Sequence, residues 1–189
     1  SVVDADDLIS SMINKAKIIS NSLGKINDLD DSEKNELYKI IALGALKYHI
    51  LKVDPKKKIL FNPDESIEFN GNTGPFIQYT YARIKSILNK SDNISNEYNE
   101  LKLNVKEKEL IILLCEFKNT VNKSVKALNP SLIANHIYEL VKLYNSYYQT
   151  YTILGEKKIN SFRVFLSDEV EIQIEKSMSL LGISVPNRM

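Results

Sequence analysis

An all-helical fold is what this chain of 189 residues predicts. Apolar residues recur at three- and four-residue intervals over most of its length, the repeat of one helix face. Breaks rich in Gly, Pro and Asn cut that pattern into helix-length pieces. No stretch repeats at a fixed period, so a solenoid is excluded.

The first helix is expected over residues 4–23. Asp4, Asp6 and Asp7 suit its positive N-terminal end. Leu8, Met12, Ile13, Ala16 and Ile19 form its stripe, and Gly24 is its expected stop. After a polar loop, Asp30 with Glu33 three residues later signals the capped start of a second helix. That helix carries Leu37, Ile41, Ala45 and Tyr48 on one face. Gly44 lies inside the stripe, which costs about 1 kcal/mol relative to Ala, and marks a close approach of another backbone.

Asp54-Pro55 ends that helix. Ile59-Leu60-Phe61 reads as a short extended piece, and Asn62-Pro63-Asp64 as a turn. Pro75 then fits the first turn of a helix running to about Lys90. Residues 91–105, rich in Asn, Ser, Glu and Lys, read as an exposed connection. Leu110, Leu113, Leu114, Phe117, Val121 and Val125 form the next stripe, which Asn129-Pro130 ends. Ile133, Ile137, Leu140, Val141, Tyr144, Tyr148 and Tyr151 form another. Gly155 to Lys158 is a loop. Phe162, Leu166, Val170, Ile174, Met178 and Leu181 mark the last helix, capped by Gly182. The helices fall into two parts, residues 1–75 and a bundle over 76–189.

Bulk properties narrow the chemistry. Lys and Arg number 25 against 24 Asp and Glu, a net charge of +1. Residues 1–75 hold 10 basic and 12 acidic side chains, and residues 76–189 hold 15 and 12. That is far from the strongly basic balance of an autonomous nucleic-acid binder. No apolar run approaches the roughly 18 residues of a membrane span. The acidic N-terminus is no signal peptide and reads as a cut inside a longer chain. The single Cys115 fits a reducing compartment and is expected to be a buried, inert thiol. His49 and His136 have no ligand spacing and read as structural or surface residues. No dinucleotide or phosphate-loop glycine pattern and no Cys/His metal set is present. No catalytic or metal-binding residue is therefore expected.

Two features allow RNA contact. Lys56-Lys57-Lys58 could touch phosphate, although a short charge run is more often a solvated turn. Five tyrosines lie between 138 and 151. Tyr147 and Tyr148 are adjacent, about 100° apart on a helix, so they cannot both face inward. An exposed ring there could stack on an unpaired base. On residues alone the default is a helical protein-interaction module.

A resemblance adds to this. Ala45 to Leu51, then Lys56-Lys57-Lys58-Ile59-Leu60-Phe61-Asn62-Pro63-Asp64, then Gly71-Asn72-Thr73-Gly74-Pro75-Phe76-Ile77-Gln78-Tyr79 through Leu88 resemble class I arginyl-tRNA synthetases. There the run joins the end of the catalytic domain to the helical anticodon-binding domain. Val2 to Leu8 resembles the family's segment just after the Lys-Met-Ser type signature loop. Ser179 to Met189 is similar to the family's usual C-terminus. Asn129-Pro130, Tyr138, Asn145, Tyr148 and Arg163 follow the anticodon-binding domain's pattern.

The resemblance implies an all-α anticodon-binding bundle over 76–189 preceded by a short helical tail of the catalytic domain, 1–75. It implies a cytoplasmic, monomeric enzyme that joins L-arginine to tRNA(Arg) with ATP and Mg²⁺. The adenylate-forming motifs are not in this sequence, so the chain alone is expected to be inactive and to hold no cofactor. By carry-over Tyr148 would stack on or support an anticodon base, and Met189 would close that site. Where some family members have an aromatic, this chain has Thr152. Gln78 is the joint's polar group, suited to hydrogen-bond backbone or RNA. Arg83, Lys118, Lys123 and Lys126 are candidates for phosphate contacts, with a packing role at the junction equally open for Arg83.

Overall fold

The computed structural model describes residues 4–23, 26–91, 102–154 and 161–189. The expected stop at Gly24, most of the 91–105 connection and the Gly155–Lys158 loop lie outside the described residues. Seven helices and no strand occur among the rest: α1 (Ala5–Leu23), α2 (Asp31–Leu51), α3 (Pro63–Ser66), α4 (Gly74–Leu88), α5 (Val105–Ala127), α6 (Ser131–Thr150) and α7 (Ser161–Leu180).

Local chemistry explains the boundaries. Asp30 and Glu33 exchange hydrogen bonds, 2.8 Å to the Glu33 N–H and 2.9 Å from the Asp30 N–H, so the expected capping box opens α2. Asn104 and Glu107 form a second box at α5, which the composition of that segment concealed. Thr73 caps α4 and Pro75 sits in its first turn. Gly182 has φ +67° after α7. The Ile183 N–H donates to the Met178 carbonyl and the Gly182 N–H to that of Ser179, both at 2.9 Å. This is a Schellman ending, for which glycine carries no Cβ penalty. Ile59-Leu60-Phe61 forms no strand and runs as irregular chain.

Two clusters of buried residues organise the molecule. Met12, Ala16, Leu37, Ile41 and Ala45 join Ile67 in a core between α1, α2 and the segment after α3. The larger core gathers Tyr48 from α2 with residues of α4, α5, α6 and α7. Helix α2 serves both cores and packs on α1 and α4. At the α2–α4 crossing the backbones nearly touch. A Cβ on Gly74 would lie 2.4 Å from the Gly44 carbonyl oxygen. This is the close approach that Gly44 led us to expect.

Three expectations fail on facing. Val125 is 66% exposed, because its neighbour Ser124 takes the buried position at that level of α5. Cys115 is exposed, not buried. It neighbours Leu114 and lies about 100° off the stripe that meets the core. Tyr148 is 39% exposed, and Tyr147 takes the inward position with no exposure. The inward row is Leu140, Tyr144, Tyr147 and Tyr151, at spacings of four, three and four. His49 is buried, edge-on to Phe61 at 5.1 Å. His136 is half-buried, and that burial holds its pKa below the usual histidine value.

Candidate nucleic-acid interface

Turning Tyr147 inward turns Tyr148 outward, over α4. Tyr79 and Arg83 are four residues apart on α4 and share one face. The Arg83 guanidinium carbon lies 4.8 Å from the Tyr79 ring centre and 5.4 Å from the Tyr148 ring centre. Arg83 Nη1 donates to Asn145 Oδ1 at 2.8 Å. Asn145 is oriented in turn by its amide nitrogen, which donates to the Thr80 hydroxyl at 2.8 Å and the Val141 carbonyl at 2.9 Å. Two helices thus hold a guanidinium between two aromatic rings. No carboxylate lies within ion-pair distance of Arg83 among the described residues.

Tyr79, Arg83 and Tyr148 line a groove of about 580 Å³ together with Ser86, Lys90, Gln149 and Met189. Its lining contains two cationic side chains and no acidic side chain. A smaller hollow of about 300 Å³, lined by Tyr148 through Leu154, adjoins it. Tyr148 stands between the two, and Thr152 lines the smaller one. Exposed aromatic faces beside fixed cations suit unstacked bases and their phosphates.

Met189 reaches the groove because the last residues are strapped down. Lys47 Nζ donates to the Gly182 carbonyl at 2.6 Å, Gln78 Nε2 to the Ser184 carbonyl at 2.8 Å, and Arg188 pairs with Asp28. The Arg188 guanidinium beside Asp28 holds that carboxyl below its usual range. Below the hollow, Glu107 is 4% exposed. Its carboxylate meets Arg163 Nε at 3.1 Å and the Tyr147 hydroxyl at 3.3 Å. Arg163 Nη1 donates to the Thr152 carbonyl at 2.9 Å.

Of the sequence candidates, Tyr148, Arg83 and Met189 converge on the groove. Gln78 does not reach it. Its side chain is fully buried and its amide nitrogen bonds the Ile40 and Ser184 carbonyls, so it joins α2, α4 and the tail. Lys118, Lys123 and Lys126 are exposed on α5 and line a different face. Lys118 borders a cleft between α5 and α7 with Phe117, Val121 and Leu180. Sequence reasoning passed over Tyr79 as a groove residue, and Lys90 altogether. The spacing Tyr79, Arg83, Ser86, Lys90 on one helix face was the available signal.

Comparison with known proteins fits this geometry. The family model described as the DALR anticodon binding domain matches residues 77–189. The arginine–tRNA ligase of Flavobacterium psychrophilum is 53% identical over all of this chain and 32% of its own length. That of Phocaeicola vulgatus is 49% identical with the same coverage. The chain thus spans about a third of the length of these relatives. Among solved structures, Thermus thermophilus arginyl-tRNA synthetase superimposes with a TM-score of 0.87 at 27% identity, over 100% of this chain and 32% of that one. Plasmodium falciparum arginyl-tRNA synthetase shares the fold with a TM-score of 0.86 at 23% identity, over 100% and 34%. With well over half of its residues matched and relatives that are arginine–tRNA ligases, the chain belongs to the DALR anticodon-binding family.

Proposed function

We propose that this chain is the tRNA-reading part of an arginine–tRNA ligase, and that the groove between α4 and α6 receives the anticodon loop of tRNA(Arg). One observation carries the reading. Tyr148, Arg83 and Met189, all candidates on sequence grounds, border a single cation-lined groove beside Tyr79. Single-stranded loop bases are read by stacking on aromatic and guanidinium planes. The exposed Tyr148 ring offers such a face beside the Arg83 guanidinium, and Met189 closes the groove's edge. Residues 1–75 belong to the end of the catalytic domain and 76–189 to the anticodon-binding bundle, a division supported by the two cores.

The longer enzyme attaches L-arginine to tRNA(Arg) using ATP and Mg²⁺, as a cytoplasmic monomer. Among the described residues no group of three or more His, Cys, Asp and Glu forms a metal site. No helix is long and apolar enough to cross a membrane.

The test is kinetic. Tyr148→Ala in the full-length enzyme raises the apparent KM for tRNA more than those for ATP or arginine. An unchanged tRNA KM would remove Tyr148 from the interface. A helical module without an RNA role is the outcome if the chain binds no arginine tRNA at low salt.

A further inference from the structure

The turn after α2 and the corner between α5 and α6 meet at one hydrogen bond. Asn129 Nδ2 donates to Asp54 Oδ2 at 3.0 Å. The other Asp54 oxygen accepts the Lys56 N–H at 2.9 Å, and the Asp54 carbonyl accepts that of Lys57 at 2.9 Å. Asn129 Oδ1 accepts the Ser131 N–H at 3.0 Å and the Ser131 hydroxyl at 2.7 Å. Asn135 Nδ2 adds a bond of 3.3 Å to the Lys52 carbonyl. Both turns are therefore fixed internally and to each other.

What they present is charge. Lys56, Lys57 and Lys58 lie two to four residues beyond Asp54, and Lys126 lies three before Asn129. All four are exposed, as is Lys123 one turn earlier. None forms an ion pair among the described residues. Segments 52–58 and 123–130 hold six lysines and a single carboxylate, that of Asp54. This local excess is hidden in a chain whose net charge is +1.

The position matters as much as the sign. Asn129 precedes the first turn of α6 and Tyr148 stands near its end. At 1.5 Å per residue they are about 28 Å apart along the helix. We propose that this lysine corner is a second RNA contact, blind to sequence, which seats backbone phosphates of a folded RNA about 28 Å from the groove. It rests on the groove's reading of an RNA loop, and it assigns the corner affinity and orientation while the groove supplies discrimination. A folded RNA such as a tRNA, rigid over that span, can meet both places at once.

The experiment measures binding of the chain to arginine tRNA, to the same tRNA with an altered anticodon, and to an unrelated tRNA, over a salt series. A K56A/K57A/K58A/K126A variant, with helicity checked by circular dichroism, weakens all three alike. Its plot of log affinity against log salt is shallower by roughly 2 to 4, about one per lost phosphate contact. The anticodon preference stays. Replacing the same four lysines with Arg restores the slope. Tyr148→Ala does the reverse, losing preference and keeping the slope. An unchanged slope in the Ala variant with preference intact overturns the corner alone. A changed slope with no anticodon preference in the unaltered chain supports the corner and overturns the groove. No binding at low salt overturns both.

Discussion

At Gly74 a single methyl group decides whether two helices can cross. The Cβ of an alanine there would meet backbone oxygen, which cannot swing aside as a side chain can. Gly74→Ala should lower stability by about 1–3 kcal/mol, the cost of overpacking a close contact, read as a lower denaturant midpoint. An unchanged midpoint would mean that the crossing is slack. Gly44 differs, because its added Cβ would meet the Gln78 amide at 2.3 Å. The amide can move, at the expense of its bonds to Ile40 and Ser184. His136 gives a pH prediction at the same scale. Its burial depresses its pKa in the fold, so the unfolded chain takes up the proton first as pH falls. Its contribution is complete above the ordinary value of 6.5 and is lost on acidification below it. A His136→Gln variant should flatten that part of the melting-temperature profile. The inward side of the tyrosine pair was not legible. A 3.6-residue repeat allows either Tyr147 or Tyr148 after Tyr144, and only the packing of Glu107 and Arg163 around Tyr147 selects between them.

Among the elements, α5 shows how one side chain can hold several. Glu107 completes the Asn104 capping box through one oxygen and meets Arg163 of α7 and Tyr147 of α6 through the other. Asn104→Ala removes only the cap and should cost about 1 kcal/mol. Glu107→Ala also removes the buried carboxylate that faces Arg163 and Tyr147 and should cost about 3 kcal/mol. Chemical denaturation of the two variants checks the order. Equal losses would show that the ion pair contributes nothing net. The start of α2 was readable, because Asp30 and Glu33 precede a clear apolar run. The start of α5 was not, because Asn104 and Glu107 sit in a polar stretch that resembles a loop. The lysines of α5 were candidates as generic phosphate contacts, yet α5 packs on α6 and α7 and its exposed lysines do not line the groove.

For the molecule as a whole, the tyrosines bury their hydroxyls where ionisation is penalised. Burial raises the pKa of Tyr48, Tyr81, Tyr144 and Tyr147 above the ordinary 10.0. Lys85 is raised as well, by its hydrogen bond to the buried Glu171 carboxylate. All five shifts act in one direction. The stability they represent is complete below the unfolded values near 10 and falls as pH rises beyond them. The melting temperature should therefore drop steeply above pH 10, and the absorbance of the tyrosinates should appear together with loss of helicity. Tyrosinate absorbance rising while helicity persists would contradict this. The all-helical class was open to reading from stripes and breaks. The shared use of α2 by both cores was not, since its two buried faces blur a single stripe.

The strap that ends at Met189 has a mechanical consequence. The tail that carries Met189 is tied through Arg188 and Lys47 to Asp28 and α2, outside the bundle whose α4 and α6 form most of the groove. A tilt of α1 and α2 against that bundle would pull on the tail and widen or narrow the groove. Occupancy of the groove would, by the same linkage, favour one tilt over the others. The tail thus gives the first two helices a lever on a surface that they do not themselves touch.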